Sequence, residues 1–141
     1  MLVELLKKLQ ADTFAYYAKA HYYHWNIEGP NFPSYHKFLE KIYTDAYEAV
    51  DTIAEFVRQL DKYAPGAWKM LSITDIKNDE TIPEALEMFK RLHKDNQTVL
   101  LSLMKCYKEA EKEGEIGLSN FIQDRIIKHR KFDWMIKSTL K

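Results

Sequence analysis

The segment YHKFLEKIYTDAYEAVDTIAEFVRQL, residues 35–60, decides how this chain folds. At 100° per residue, with His36 set to 0°, its apolar side chains fall in an arc of roughly 100° centred near 250°. They are Tyr35, Phe38, Leu39, Ile42, Ala46, Ala49, Ile53, Phe56, Val57 and Leu60. That is one face of an amphipathic helix, the face that packs on the rest of the chain.

A second stripe lies nearly opposite. His36, Glu40, Asp51 and Glu55 fall at about 0°, 40°, 60° and 100°, with Tyr43 and Tyr47 on or beside them. A solvated face accounts for isolated carboxylates, and Arg58 and Lys62 nearby fit that reading. Two tyrosines and a histidine on the same face do not. The carboxylates point away from the chain's own core.

Working outward, breaks divide the chain. Gly29, Pro30 and Pro33 cluster before this helix, Pro65 and Gly66 follow it, Pro83 stands alone, and Gly114 and Gly117 make the last break. The patterns between them are helical. Long helices are expected at about 3–26, 34–63, 82–112 and 117–137. The first carries apolar Leu2, Leu5, Leu6, Leu9, Tyr16 and Tyr17. Thr81 reads as the N-cap of the third, with Glu84 at the capping-box position and Pro83 in its first turn. Residues 64–78 form a long crossover in which SITDI suggests a short helix. Two helix pairs joined by one long connection make an all-α, ferritin-like four-helix bundle.

With 141 residues, 46% hydrophobic, the chain suits one domain spanning 1–141. Lysine plus arginine equals aspartate plus glutamate at 21 each, so no global positive field draws nucleic acid. The last helix is locally basic: Arg125, Lys128, Arg130, Lys131, Lys137 and Lys141 stand against Asp124 and Asp133. Cys106 is alone, which excludes an intrachain disulfide and a cysteine metal cluster; mid-helix, it reads as a small buried residue. MLVELLKKLQ is too interrupted by charge for a signal peptide, and no apolar run nears a membrane span. An intracellular, cytoplasmic protein without a membrane partner is expected.

Histidine and acid are the remaining chemical groups. His36 and Glu40 are one turn apart, as are Asp51 and Glu55, but the pairs lie about 16–22 Å apart along one helix. A second copy packed antiparallel about a twofold near Asp45–Ala46 would bring them together. Asp51 and Glu55 of one chain would lie beside His36 and Glu40 of the other, giving two equivalent sites. Tyr43 and Tyr47 would fill the contact, and His24, near the end of the first helix, could add a ligand. Two imidazoles with three carboxylates suit iron, zinc or manganese and are poor for copper(I). No Glu-x-x-His occurs, which argues against a di-iron site in the bundle interior. His93 and Asn96 are expected to pair inside the bundle. His21 and His129 are expected to serve packing or surface contacts.

One family has this order of residues. His24-Trp25-Asn26 is followed twelve residues later by His36, then Glu40, then Asp51-x-x-x-Glu55. Downstream come AEKEGEIG at 110–117 and HRKFDWMIKSTL at 129–140, the latter through His129, Lys131, Trp134 and Met135. The chain resembles the Dps family, the mini-ferritins, over nearly its whole length. It departs at Glu40, where aspartate is usual, and at Arg130, where glutamate is. It begins almost at the first helix, so the lysine-rich tail of many DNA-binding members is not expected.

The resemblance implies a dodecamer, a hollow shell of 23 symmetry built from twofold dimers. It implies ferroxidase activity on iron(II), with hydrogen peroxide preferred over oxygen, and storage of ferric mineral inside. A di-iron site would lie across the twofold, with zinc as the alternative metal in purified protein. His24, His36 and Glu40 would come from one chain and Asp51 and Glu55 from its mate, Glu55 as the bridging or bidentate carboxylate. Trp25, Tyr43 and Tyr47 would lie nearby, and Trp25 would pack on the site or quench stray oxidant. Glu113, Glu115 and Asp124 are candidates for an acidic pore, or plain solvated helix ends. Two other readings stay open: a DNA-compacting shell with weak or lost ferroxidase activity, and a structural oligomer that uses the stripe as a polar interface.

Overall fold

The computed structural model describes all residues 1–141. Four long helices, α1 (Leu2–Asn26), α2 (Phe32–Gln59), α4 (Ala85–Lys112) and α5 (Ile116–Leu140), are joined as two pairs by a crossover that carries a short helix, α3 (Ala67–Ile73). α1 packs on α2, α4 on α5, and α1 also on α4 and α3. One core joins them, with Leu6, Leu9, Tyr16 and Tyr23 from α1, Leu39, Ile42 and Ile53 from α2, Phe89, Leu92 and Leu103 from α4, and Ile122 and Ile136 from α5.

The two-faced reading of α2 holds. Its buried residues are Leu39, Ile42, Ala46, Ala49, Ile53 and Val57, all within the apolar arc. Tyr35, Phe38, Phe56 and Leu60 pack on the core from its edge. Glu40, Asp51 and Glu55 are exposed. In α1, Leu2, Leu6, Leu9 and Tyr16 are buried as expected, while Leu5 and Tyr17 are half-buried.

Charged hydrogen bonds fasten the crossover. Asp12 on α1 is fully buried and accepts from Lys8 Nζ at 2.7 Å, Thr74 Oγ1 at 2.7 Å and Ser102 Oγ at 2.5 Å. One carboxylate thus ties α1, the crossover and α4 together. Nearer α4, Asp79 accepts from Tyr23 Oη at 2.6 Å and Arg91 Nη1 at 2.8 Å. Cys106 is fully buried, which pushes its thiol pKa up to about 12 and makes it inert at neutral pH.

Four expected boundaries need correction. The short helix is AWKMLSI, and only its last two residues fall in SITDI; Thr74 is spent instead on Asp12 and on the Ile76 N–H. α4 begins at Ala85 with Glu84 as an uncapped N-cap in extended conformation, so Thr81 caps nothing and Pro83 lies outside the first turn. Proline drives the residue before it out of helical space, which delays the start. α5 runs on to Leu140, three residues past the expected end.

The fourth correction is the end of α2, at Gln59 rather than residue 63. Asp61 takes a left-handed φ of 63°, with Lys62 N–H donating to Val57 O at 3.3 Å and Asp61 N–H to Arg58 O at 2.9 Å. This is a Schellman stop. α4 ends the same way, with Gly114 at φ 72° and Glu115 N–H on Ala110 O at 2.9 Å. Glycine announces such a stop in a sequence; aspartate does not. Asp61→Gly should relieve the left-handed strain and raise stability in urea unfolding by about 0.5–1 kcal/mol, whereas Asp61→Ala should lower it.

Candidate metal centre

His24 and His36 meet where α1 ends and α2 begins. The chain turns through Ile27, extended at φ −68°, ψ 143°, and Gly29, at φ +121°. Each histidine holds the other's backbone: His24 Nδ1 lies 2.8 Å from His36 O, and His36 Nδ1 lies 2.7 Å from His24 O. A carbonyl only accepts, so both Nδ1 atoms carry hydrogen and donate. When the rings are neutral, each Nε2 keeps its lone pair. The carbonyl of His24 belongs to the last turn of α1 and has no partner further along that helix. The rings stack at 3.6 Å with 15° between planes. Two imidazoles are thereby fixed in the tautomer that ligates a metal through Nε2.

Aromatic rings surround the pair. Phe32 stacks on His36 at 4.8 Å, and Tyr43 meets His24 edge-on at 5.0 Å. His21, one turn before His24, lies between Tyr43 at 3.9 Å and Trp25 at 4.0 Å. Its Nδ1 pairs with Tyr17 Oη at 3.0 Å. Burial, then the neighbouring His24, holds the His21 pKa below its usual value. Burial raises that of Tyr17, helped by Tyr47 and Tyr43. Tyr43 is half-buried within its own chain, while Tyr47 is 60% exposed and Trp25 65% exposed. His21 is a neighbour of the site that the sequence reading left among packing residues. Its signal was spacing: three residues before His24 and four after Tyr17 places it on both their faces.

Glu40 lies one turn beyond His36 on the polar stripe of α2, and Asp51 and Glu55 lie several turns further on. Within one chain no three histidine, cysteine, aspartate or glutamate side chains converge on a metal-sized position. The histidines come together; the five candidates do not. Glu113 and Asp124 are exposed, and Glu115 is half-exposed at the start of α5.

The bundle interior holds a cation of its own. Arg125 Nη2 lies 2.8 Å from Asp45 Oδ2 and 2.8 Å from His129 Nε2. Guanidinium only donates, so His129 Nε2 accepts and its Nδ1 donates to Asn96 Oδ1 at 2.8 Å. Asn96 Nδ2 completes the exchange by donating to His129 O at 2.9 Å. One expectation is corrected here. Asn96 pairs with His129 rather than with His93, which binds Asp133 at 2.8 Å. His129 is fully buried and packs edge-on to Phe132, so of the packing and surface roles expected for it the structure gives packing.

The family model for the ferritin-like domain matches residues 3–141. The DNA protection during starvation protein of Helicobacter pylori is 30% identical over 97% of this chain and 96% of its own. The chain belongs to the Dps family. The crystal structure of Dps from Staphylococcus aureus superposes with a TM-score of 0.94 at 26% identity, over 99% of this chain and 95% of that one. The Dps protein of Vibrio cholerae O1, described as a member of the ferritin-like diiron-carboxylate superfamily, gives 0.94 at 27% identity, over 99% and 89%. As a Dps family member with Arg125 in its bundle interior, the chain has its conspicuous imidazoles at the edge of the bundle instead. No helix is long and apolar enough to cross a membrane.

The interior histidine makes stability depend on acid. Burial, then the Arg125 charge, holds the His129 pKa well below the ordinary 6.5. Below pH about 6.5 the unfolded chain gains a proton there that the folded chain does not, so stability falls by up to ~1.4 kcal/mol per pH unit. His129→Gln should be less stable than wild type at pH 7.5 in urea unfolding, and the gap should narrow steadily between pH 6.5 and 5.

Proposed function

We propose that residues 1–141 form one ferroxidase domain of a homo-oligomer, a shell of twelve chains built from twofold dimers. It oxidises iron(II) with hydrogen peroxide and stores the ferric product. The observation that carries this reading is the reciprocal His24–His36 lock, which commits both Nδ1 atoms and frees both Nε2 atoms as ligands. Beside it on α2 stand exposed carboxylates that serve no ion pair of their own: Glu40, Asp51 and Glu55 have no basic partner within 4.0 Å.

In this reading His24, His36 and Glu40 of one chain bind ferrous iron together with Asp51 and Glu55 of the twofold mate. Glu55 bridges or chelates. Two ferrous ions give up the two electrons that reduce one hydrogen peroxide to two waters, with uptake of two protons. The carboxylates favour the product, because negative oxygen ligands stabilise the higher charge of the ferric ion. The hydrogen-bonded histidines hold their rings for the metal without reorganisation. Glu40, one methylene longer than the usual aspartate, reaches the ion by a different rotamer. Trp25, Tyr43 and Tyr47 frame the site, with Tyr43 fixed by His21. Consuming iron(II) and peroxide together removes the reagents that make hydroxyl radical. That protects DNA without contact and agrees with the name of the Helicobacter pylori relative.

The test uses two variants, His36→Ala and Asp51→Ala. Metal-free protein is mixed anaerobically with iron(II), peroxide is added, and ferric absorbance is followed. Wild type should oxidise rapidly in a particle of about 200 kDa, and each variant should be slower by about tenfold or more. When the two variants are unfolded, mixed and reassembled, about a quarter of the sites regain a full ligand set if ligands come from both chains. No recovery on mixing means the site lies within one chain. No oxidation by wild type above the variants leaves a structural or DNA-compacting shell.

A further inference from the structure

A groove of about 500 Å³ runs between α2 and α5. Lys37 and Lys41 line it from α2, one turn apart, and Lys128 and Lys131 from α5, three residues apart. Like charges at these spacings repel along a helix surface. None of the four ammonium groups has an acidic partner within 4.0 Å, which leaves all four free for a ligand.

The acids in the groove do not offset them. Asp45 is already paired to Arg125 at 2.8 Å. Glu40 and Glu48 remain, two carboxylates against four lysines. If Glu40 ligates iron, only Glu48 is left. Thr44 adds a neutral hydroxyl donor to the wall. A concave site lined by four lysines and a hydroxyl fits a small multivalent oxyanion, which the long, flexible lysine side chain can reach and bind as a point charge.

We infer that the groove between α2 and α5 binds inorganic phosphate, held by Lys37, Lys41, Lys128 and Lys131. Glu40 lines this groove and belongs to the proposed iron site. The groove therefore supplies phosphate beside the place where ferric ion forms, and the stored mineral is a ferric phosphate. The binding stands alone; its role in the mineral rests on the ferroxidase reading.

Equilibrium dialysis of radiolabelled orthophosphate against metal-free protein tests the binding without iron. A variant with Lys37, Lys41, Lys128 and Lys131 all changed to Gln is compared with a control in which Lys69, Lys90, Lys108 and Lys112 are changed to Gln, removing equal charge elsewhere. Saturable binding by wild type and the control, weakened about tenfold or more in the groove variant, is the expected result. Equal loss in both variants, or no saturable binding by wild type, overturns the inference. A short duplex DNA is the third arm. If it displaces phosphate from wild type and its own retention is lost in the groove variant, the occupant is nucleic acid and the inference fails. In iron-loaded samples the phosphate-to-iron ratio of the product should fall in the groove variant. Failure of wild type to oxidise iron would sink the ferroxidase reading and leave the dialysis result untouched.

Discussion

Arg125 occupies the polar centre of this bundle and decides which of its groups are left without a partner. Its Nη2 lies 2.8 Å from both Asp45 Oδ2 and His129 Nε2, a carboxylate oxygen and an imidazole nitrogen aimed at one point. In a metal-binding bundle such a pair would take an ion. Here the guanidinium fills the position, and the buried charge is held by an ion pair to Asp45 and a hydrogen bond to His129. The inner carboxylates and imidazole are therefore spent. His24 and His36, at the turn between α1 and α2, and the unpaired acids Glu40, Asp51 and Glu55, on the polar stripe of α2, lie away from Arg125.

At that turn, geometry does for the histidines what Arg125 does for the interior. His24 and His36 each donate to the other's carbonyl, so a single pair of side chains closes the turn and fixes two tautomers. The two roles reinforce each other. Were the turn looser, the Nδ1 atoms would face water and either nitrogen could carry the proton; as built, the fold itself selects Nε2. Gly29, at φ +121°, permits the reversal that brings the helices to this distance.

Much of this was legible in the sequence because α2 encodes it twice, once as an apolar arc and once as the stripe opposite. Every fully buried residue of α2 lies in the arc, which the 100° repeat alone predicts. Helix ends were less legible where the stop is made by backbone conformation. Gly114 was a readable left-handed residue; Asp61 was not, and the second helix was expected to run four residues too far. Interior polar partners were hardest. His93, Asn96 and His129 are chemically alike as hydrogen-bonding residues, and only the facing of α4 against α5 decides that Asn96 meets His129 while His93 reaches Asp133. The packing role of His21 was legible, but not its partners: it lies between Tyr43 and Trp25, and the contact with Tyr43 is a relation across helices that spacing along one helix only hints at.

A net charge of zero hides a sharp division along α2. Glu40 belongs both to the stripe that begins at His36 and to the groove lined by Lys37 and Lys41, so one turn of helix serves both surfaces. Opposite charges this close would neutralise one another if their side chains met, yet Glu40 makes no ion pair with either lysine. Lys41 is the next residue and faces away, but Lys37 stands three residues before Glu40, and leaving that pair open forgoes a few tenths of a kcal/mol of surface pairing. A helix that needed only solubility would gain by closing it. One that binds a cation with its carboxylates and an oxyanion with its lysines must leave both open.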